Sequence, residues 1–163
     1  MTPALAASAP GDAGEAAGPP RGRRARPALS YELFPPRADA QARALPETIE
    51  RLAETDPDFV SVTYGAAGRN RPTTVELLRF LVQETPLRPL AHLTCVGNDT
   101  AQLREVIDEF LETGVRGILA IRGDIPEGLD WPQPYGIEYG HHLVRLIREV
   151  ESERTIQLAA GRL

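Results

Sequence analysis

The stretch "FVSVTYGAAGRNRP", residues 59–72, decides between two architectures. Its first half is β-branched and aromatic, with Ser61 and Thr63 pointing one way and Val60 and Val62 the other. Such alternation makes a strand with one polar and one apolar face. The residues after the strand separate an open nucleotide-binding sheet from a barrel. A doubly wound sheet would place G-x-G-x-x-G directly after the strand, at the opening of a helix. Here Gly65 and Gly68 lack that spacing, and Pro72 lies just beyond them. The stretch therefore fits a barrel, whose outer face packs helices and whose carboxyl rim carries the chemistry.

The same unit recurs on both sides. "ALSYELF" (28–34), "RPLAHLTCV" (88–96), "GILAIRGD" (117–124) and "TIQLAAG" (155–161) are further strands. Between them lie helical patterns. "ALPETIERLAE" (44–54) puts Leu45, Ile49, Leu52 and Ala53 on one face, and Thr73 with Glu76 has capping-box spacing. "DTAQLREVIDEFLETG" (99–114) is amphipathic with Gly114 as C-terminal cap, and residues 139–151 repeat the pattern through Leu143, Leu146, Ile147 and Val150. Alternating strands and helices imply right-handed βαβ crossovers and a parallel sheet. Glu32, Thr63, Thr94 and Asp124 recur about every 30 residues, one unit apart, each at or next to a strand's carboxyl end.

The fold class is α/β, an incomplete (β/α)8 TIM-barrel type with about four βα units and a fifth strand. Residues 28–163 form this half, where a full barrel takes about 250 residues. A half-barrel leaves two open strand edges, which calls for a complementing half-barrel or a homo-oligomer. Residues 1–27, rich in Ala, Gly, Pro and Arg, cannot offset their ordering entropy and form a disordered tail.

Composition narrows the chemistry. Residues 1–27 carry four arginines against Asp12 and Glu15, whereas the remainder carries fourteen arginines against 21 acids. An acidic body argues against nucleic acid as partner. All 18 residues of the Lys+Arg count are arginine. That excludes a Schiff-base aldolase, a pyridoxal phosphate enzyme and a Walker-type phosphate loop, each of which needs a lysine amine. No apolar run is long enough for a membrane span, and none comes after "RGRRARP" (21–27) as an export signal requires. With Cys95 as the single cysteine, the expectation is a cytoplasmic protein without disulfides.

The polar rim set is Glu32, Thr63, Tyr64, His92, Thr94, Arg122 and Asp124. It has no metal-ligand spacing, and adjacent His141 and His142 diverge by about 100° on a helix. Cys95 falls on the helix-facing side by alternation, and no G-x-S-x-G elbow occurs. The chemistry left is acid–base and hydrogen-bond chemistry around an organic cofactor. Glu32, at a buried strand position, is either a general acid with its pKa raised by burial or the partner of Arg122 in a structural ion pair.

"SYELFPPR" (30–37), "FVSVTYGAAG" (59–68), "AHLTC" (91–95) and "AIRGDIP" (120–126), in this order, resemble the methylenetetrahydrofolate reductases. The resemblance runs from about Leu29 to Ala160. It implies a flavin-dependent barrel that passes a hydride from NADH or NADPH to FAD and then to 5,10-methylenetetrahydrofolate, giving 5-methyltetrahydrofolate for methionine synthesis. It implies Glu32 as the catalytic acid that protonates folate N10. It also implies Thr63, Tyr64, Ala66, His92, Arg122, Gly123, Asp124, Tyr139 and Gly140 as cofactor-binding residues, with Glu32 and Asp124 contacting the folate. Gly161 stands where the family carries a tyrosine in "AAYPE", and the family's later units supply further contacts. The alternative is a truncated, non-catalytic fragment.

Overall fold

The computed structural model describes residues 27–65, 70–125, 127–128, 130–131 and 136–162. The tail expected over residues 1–27 lies outside them except for Pro27, as does Ala66. Strands and helices alternate: β1 (Ser30–Leu33), α1 (Asp39–Ala53), β2 (Phe59–Val62), α2 (Arg71–Glu84), β3 (Pro89–Thr94), α3 (Thr100–Glu112), β4 (Gly117–Ile121) and α4 (Gly140–Ala159). The strands form one parallel sheet in the order β1-β2-β3-β4. Each crossover delivers the next strand to the adjacent position, without the reversal that marks a doubly wound sheet. These are four consecutive units of an incomplete barrel of the (β/α)8 type.

One face of the sheet is apolar and packed against the helices. Val60, Val62, Ala91, Leu93 and Cys95 are buried there against Ile49, Leu78, Leu81, Leu103, Ile107, Phe110, Leu143 and Ile147 of the helices. Each large side chain so buried contributes about 1.5–3 kcal/mol. The Cys95 thiol donates to the Ile121 carbonyl at 3.4 Å, and burial raises its pKa, so it behaves as a core residue.

Local chemistry sets the helix ends. Helix α3 opens on a capping box: Asp99 accepts from the Gln102 backbone N–H, and the Gln102 side chain accepts from that of Asp99. It closes near Gly114, whose φ of +94° is the left-handed turn a glycine makes without strain. The capping box anticipated at Thr73 and Glu76 does not form. Helix α2 starts earlier, at Arg71, because Pro72 suits a first turn whose N–H needs no partner. Thr73 then donates back to the Asn70 carbonyl.

The fifth strand expected at residues 155–161 is not formed, since α4 continues through to Ala159. No glycine or proline interrupts residues 141–160, so the helical ladder propagates. Thr155 donates its hydroxyl to the Glu151 carbonyl. A Schellman turn then ends the helix: Gly161 sits at φ +65°, its N–H donates to Leu158, and that of Arg162 donates to Gln157. Ile156 and Leu158, whose alternation suggested a strand, remain exposed.

Candidate active site

Because all four strands are parallel, their carboxyl ends share one edge of the sheet. The ladder also fixes which side chains share the open face. Glu32, Ser61, Leu90 and Gly117 form one row, His92 and Leu119 the next, and Thr94 and Ile121 the third.

Glu32 lies on β1 between Tyr31 and Leu33, which turn to the helix side and join the core. Its Oε1 accepts a hydrogen bond from Thr63 Oγ1 at 2.8 Å. His92 Nδ1 stands 3.9 Å from the same oxygen. Thr63 is itself fixed at both ends of its backbone. Its N–H donates to the Leu33 carbonyl at 3.0 Å, and its carbonyl accepts from the buried Thr74 hydroxyl at 3.3 Å. The His92 side chain is only 12% exposed. Burial lowers its pKa below the ordinary 6.5, and attraction to Glu32 opposes this only in part. The imidazole is therefore neutral at pH 7.

Two expectations need correction. Glu32 is not at a buried position: its side chain is 49% exposed on β1, the first strand of the sheet and one of its edges. Nor does it pair with Arg122. That guanidinium turns its Nε to the Gly123 carbonyl at 3.2 Å.

The other candidates divide. Gly123, at φ +86°, packs so closely on β3 that an added Cβ would lie 3.1 Å from that of Thr94. Asp124 comes next, exposed, at the same edge of the sheet. The Tyr64 ring leaves the site for the core, edge-on to Phe110 at 5.9 Å, and burial pushes its phenol pKa up. Any ligand contact there would run through its main chain. Tyr139 is exposed at the start of α4 and stacks on His141 at 5.7 Å. Gly140 lets α4 approach β4, since a Cβ would stand 3.2 Å from the Ala120 carbonyl. His141 and His142 do not diverge as their spacing suggested, because Tyr139 gathers both rings, 4.0 Å apart. No cluster able to hold a metal ion occurs among the described residues.

Sequence reasoning placed Thr94 on the rim but gave it no part. Its Oγ1 is buried without a hydrogen-bond partner among the described residues. Leaving such a group unpaired costs about 1–3 kcal/mol. The alternation in "GILAI" could also have revealed Leu119 and Ile121, both exposed on the open face beside it. Leu119 and Ile121 thus set an apolar patch beside the orphaned Thr94 hydroxyl.

Four parallel strands in chain order, with a carboxylate, a hydroxyl and an imidazole at their carboxyl ends, define an α/β protein of the (β/α)8 class. The family model for methylenetetrahydrofolate reductase matches residues 21–160, and the chain belongs to this family of oxidoreductases. It is 38% identical over 122 residues to the 5,10-methylenetetrahydrofolate reductase of Pectobacterium carotovorum, covering 75% of this chain and 40% of that protein. Identity to the Escherichia coli protein of the same name is 37% over 122 residues, with the same coverage. The Schizosaccharomyces pombe methylenetetrahydrofolate reductase 1 is 35% identical over 121 residues, 73% of this chain and 20% of that protein. The chain thus spans about two-fifths of the length of these bacterial relatives. Among the described residues, no helix is long and apolar enough to cross a membrane.

Proposed function

We propose that this chain carries the proton-donor and flavin-side part of a cytoplasmic methylenetetrahydrofolate reductase. The single observation behind this is the carboxylate of Glu32 anchored through one oxygen by Thr63 beside a neutral His92. A protonated histidine there would set a positive charge beside the carboxylate, and burial of His92 opposes that charge. Glu32 delivers that proton to N10 of 5,10-methylenetetrahydrofolate, the C–N bond breaks with its electron pair going to N10, and a reactive iminium is left at N5. Proton transfer of this kind is worth about 10²–10⁴ in rate.

FAD, when bound, supplies a two-electron relay from NADH or NADPH to the folate. Thr63, Ala66, His92, Arg122, Gly123, Asp124, Tyr139 and Gly140, with the main chain of Tyr64, would hold it. The orphaned Thr94 hydroxyl and the tight Gly123 turn support a ligand at this face. Asp124 also holds the pterin of the folate. Beyond Leu119 and Ile121, the outer edge of β4 accepts a complementing half-barrel or a second copy in a homo-oligomer.

Titrating the purified chain with FAD tests the cofactor site. The expected result is a saturable, perturbed flavin spectrum that weakens on Gly123→Val. An unperturbed spectrum at all concentrations, or equal binding by the variant, would remove the flavin site from this chain.

A further inference from the structure

We propose that Thr63 is a positioning residue that decides which oxygen of Glu32 carries the transferable proton; this rests on the proton-donor role proposed for Glu32 above. Both neighbouring polar groups lie at Oε1: the Thr63 hydroxyl at 2.8 Å and His92 Nδ1 at 3.9 Å. The second oxygen has no partner among the described residues. A carboxylic acid has one oxygen that carries hydrogen and one that accepts. If Oε1 carried the proton and donated it to Thr63, the threonine's own hydroxyl proton would lack an acceptor among the described residues. With Thr63 donating to Oε1, the proton on Oε2 is the one left without a protein partner among the described residues, and so is the one available to the substrate.

That arrangement also survives the chemical step. The proton leaves Oε2 for the substrate nitrogen, Glu32 becomes a carboxylate, and Oε1 accepts from Thr63 before and after. Nothing on the protein has to reorient. Thr63 is suited to this because its backbone is tied to β1 and α2 and its β-branched side chain has few rotamers. Glu32 is long and half exposed, and would otherwise sample several rotamers. Fixing the donor atom of a mobile acid is worth much in rate, since small misplacements cost about 10²-fold.

The test compares Thr63→Val, nearly isosteric but without a hydroxyl, with Thr63→Ser, which restores it. Infrared spectra of ¹³C-glutamate-labelled protein, differenced against Glu32→Gln, isolate the carboxylate stretches of Glu32. The splitting between the antisymmetric and symmetric bands should narrow in Thr63→Val, where the two oxygens become alike, and return in Thr63→Ser. No change in Thr63→Val, or a Thr63→Ser spectrum like that of Thr63→Val, would overturn the assignment.

A second readout uses FAD-loaded protein and compares folate-dependent oxidation of the nicotinamide with oxidation by a quinone, which needs no proton on N10. Positioning predicts that Thr63→Val lowers the folate rate about tenfold more than the quinone rate, through kcat rather than the folate KM. Equal losses would make Thr63 a cofactor ligand only. Wild-type protein with neither rate would refute the proposed function, while the infrared comparison would still decide the role of Thr63.

Discussion

His92 and Gly123 show how single residues of the open face answer to their surroundings. His92 is kept below its ordinary pKa of 6.5 by burial, against the pull of Glu32. As pH falls through that value the unfolded chain takes its proton first, so His92 costs no stability above it. Stability then declines until the pH lies below the folded-state pKa. Urea midpoints taken between about pH 7.5 and about pH 5 should therefore fall more steeply for the wild type than for His92→Gln. Equal slopes would mean that the imidazole is not desolvated. At Gly123 the backbone is left-handed and the Thr94 side chain is at the limit of approach. Gly123→Ala should cost about 1–2 kcal/mol in urea denaturation. His92 was legible as a rim residue from the alternation within its strand, whereas Gly123 entered only through the family resemblance. The orphaned hydroxyl of Thr94 was not legible, because its lack of a partner depends on packing by the segment after β4.

Among the elements, α3 and α4 differ in how far their burial extends. Phe110 of α3 is fully buried and meets Tyr64, whereas the buried residues of α4 stop at Val150. Phe110→Ala should thus cost about 3–5 kcal/mol by thermal or chemical denaturation. Ile156→Ser and Leu158→Ser, at exposed positions of the last turns, should each stay within about 0.5 kcal/mol of wild type. The strand alternations in "FVSVTYG" and "RPLAHLTCV" were legible because one face is buried and the other open, so the period of two survives in the residue types. Residues 155–161 misled for the reverse reason. Ile156 and Leu158 suit a strand, but with no breaker and no buried contact to decide, the helix simply continues until Gly161.

At the scale of the whole molecule, the chain-order sheet converts a sequence interval into a shared edge. Residues one βα unit apart, Glu32 and Thr63, end 2.8 Å apart, and His92 joins them from the next unit. This convergence could be read in advance from the spacing of polar strand-end residues. The exposure of Glu32 could not, because it depends on what lies over the first strand rather than on the strand itself. The most direct measurement of the proton-donor role is Glu32→Gln in FAD-loaded protein, assayed for nicotinamide oxidation with folate and, separately, with a quinone. The expected result is a loss of about 10²–10⁴ with folate and an unchanged ratio of bound flavin to protein. A folate-dependent rate equal to that of the wild type, or a folate and quinone loss of the same size, would contradict that role.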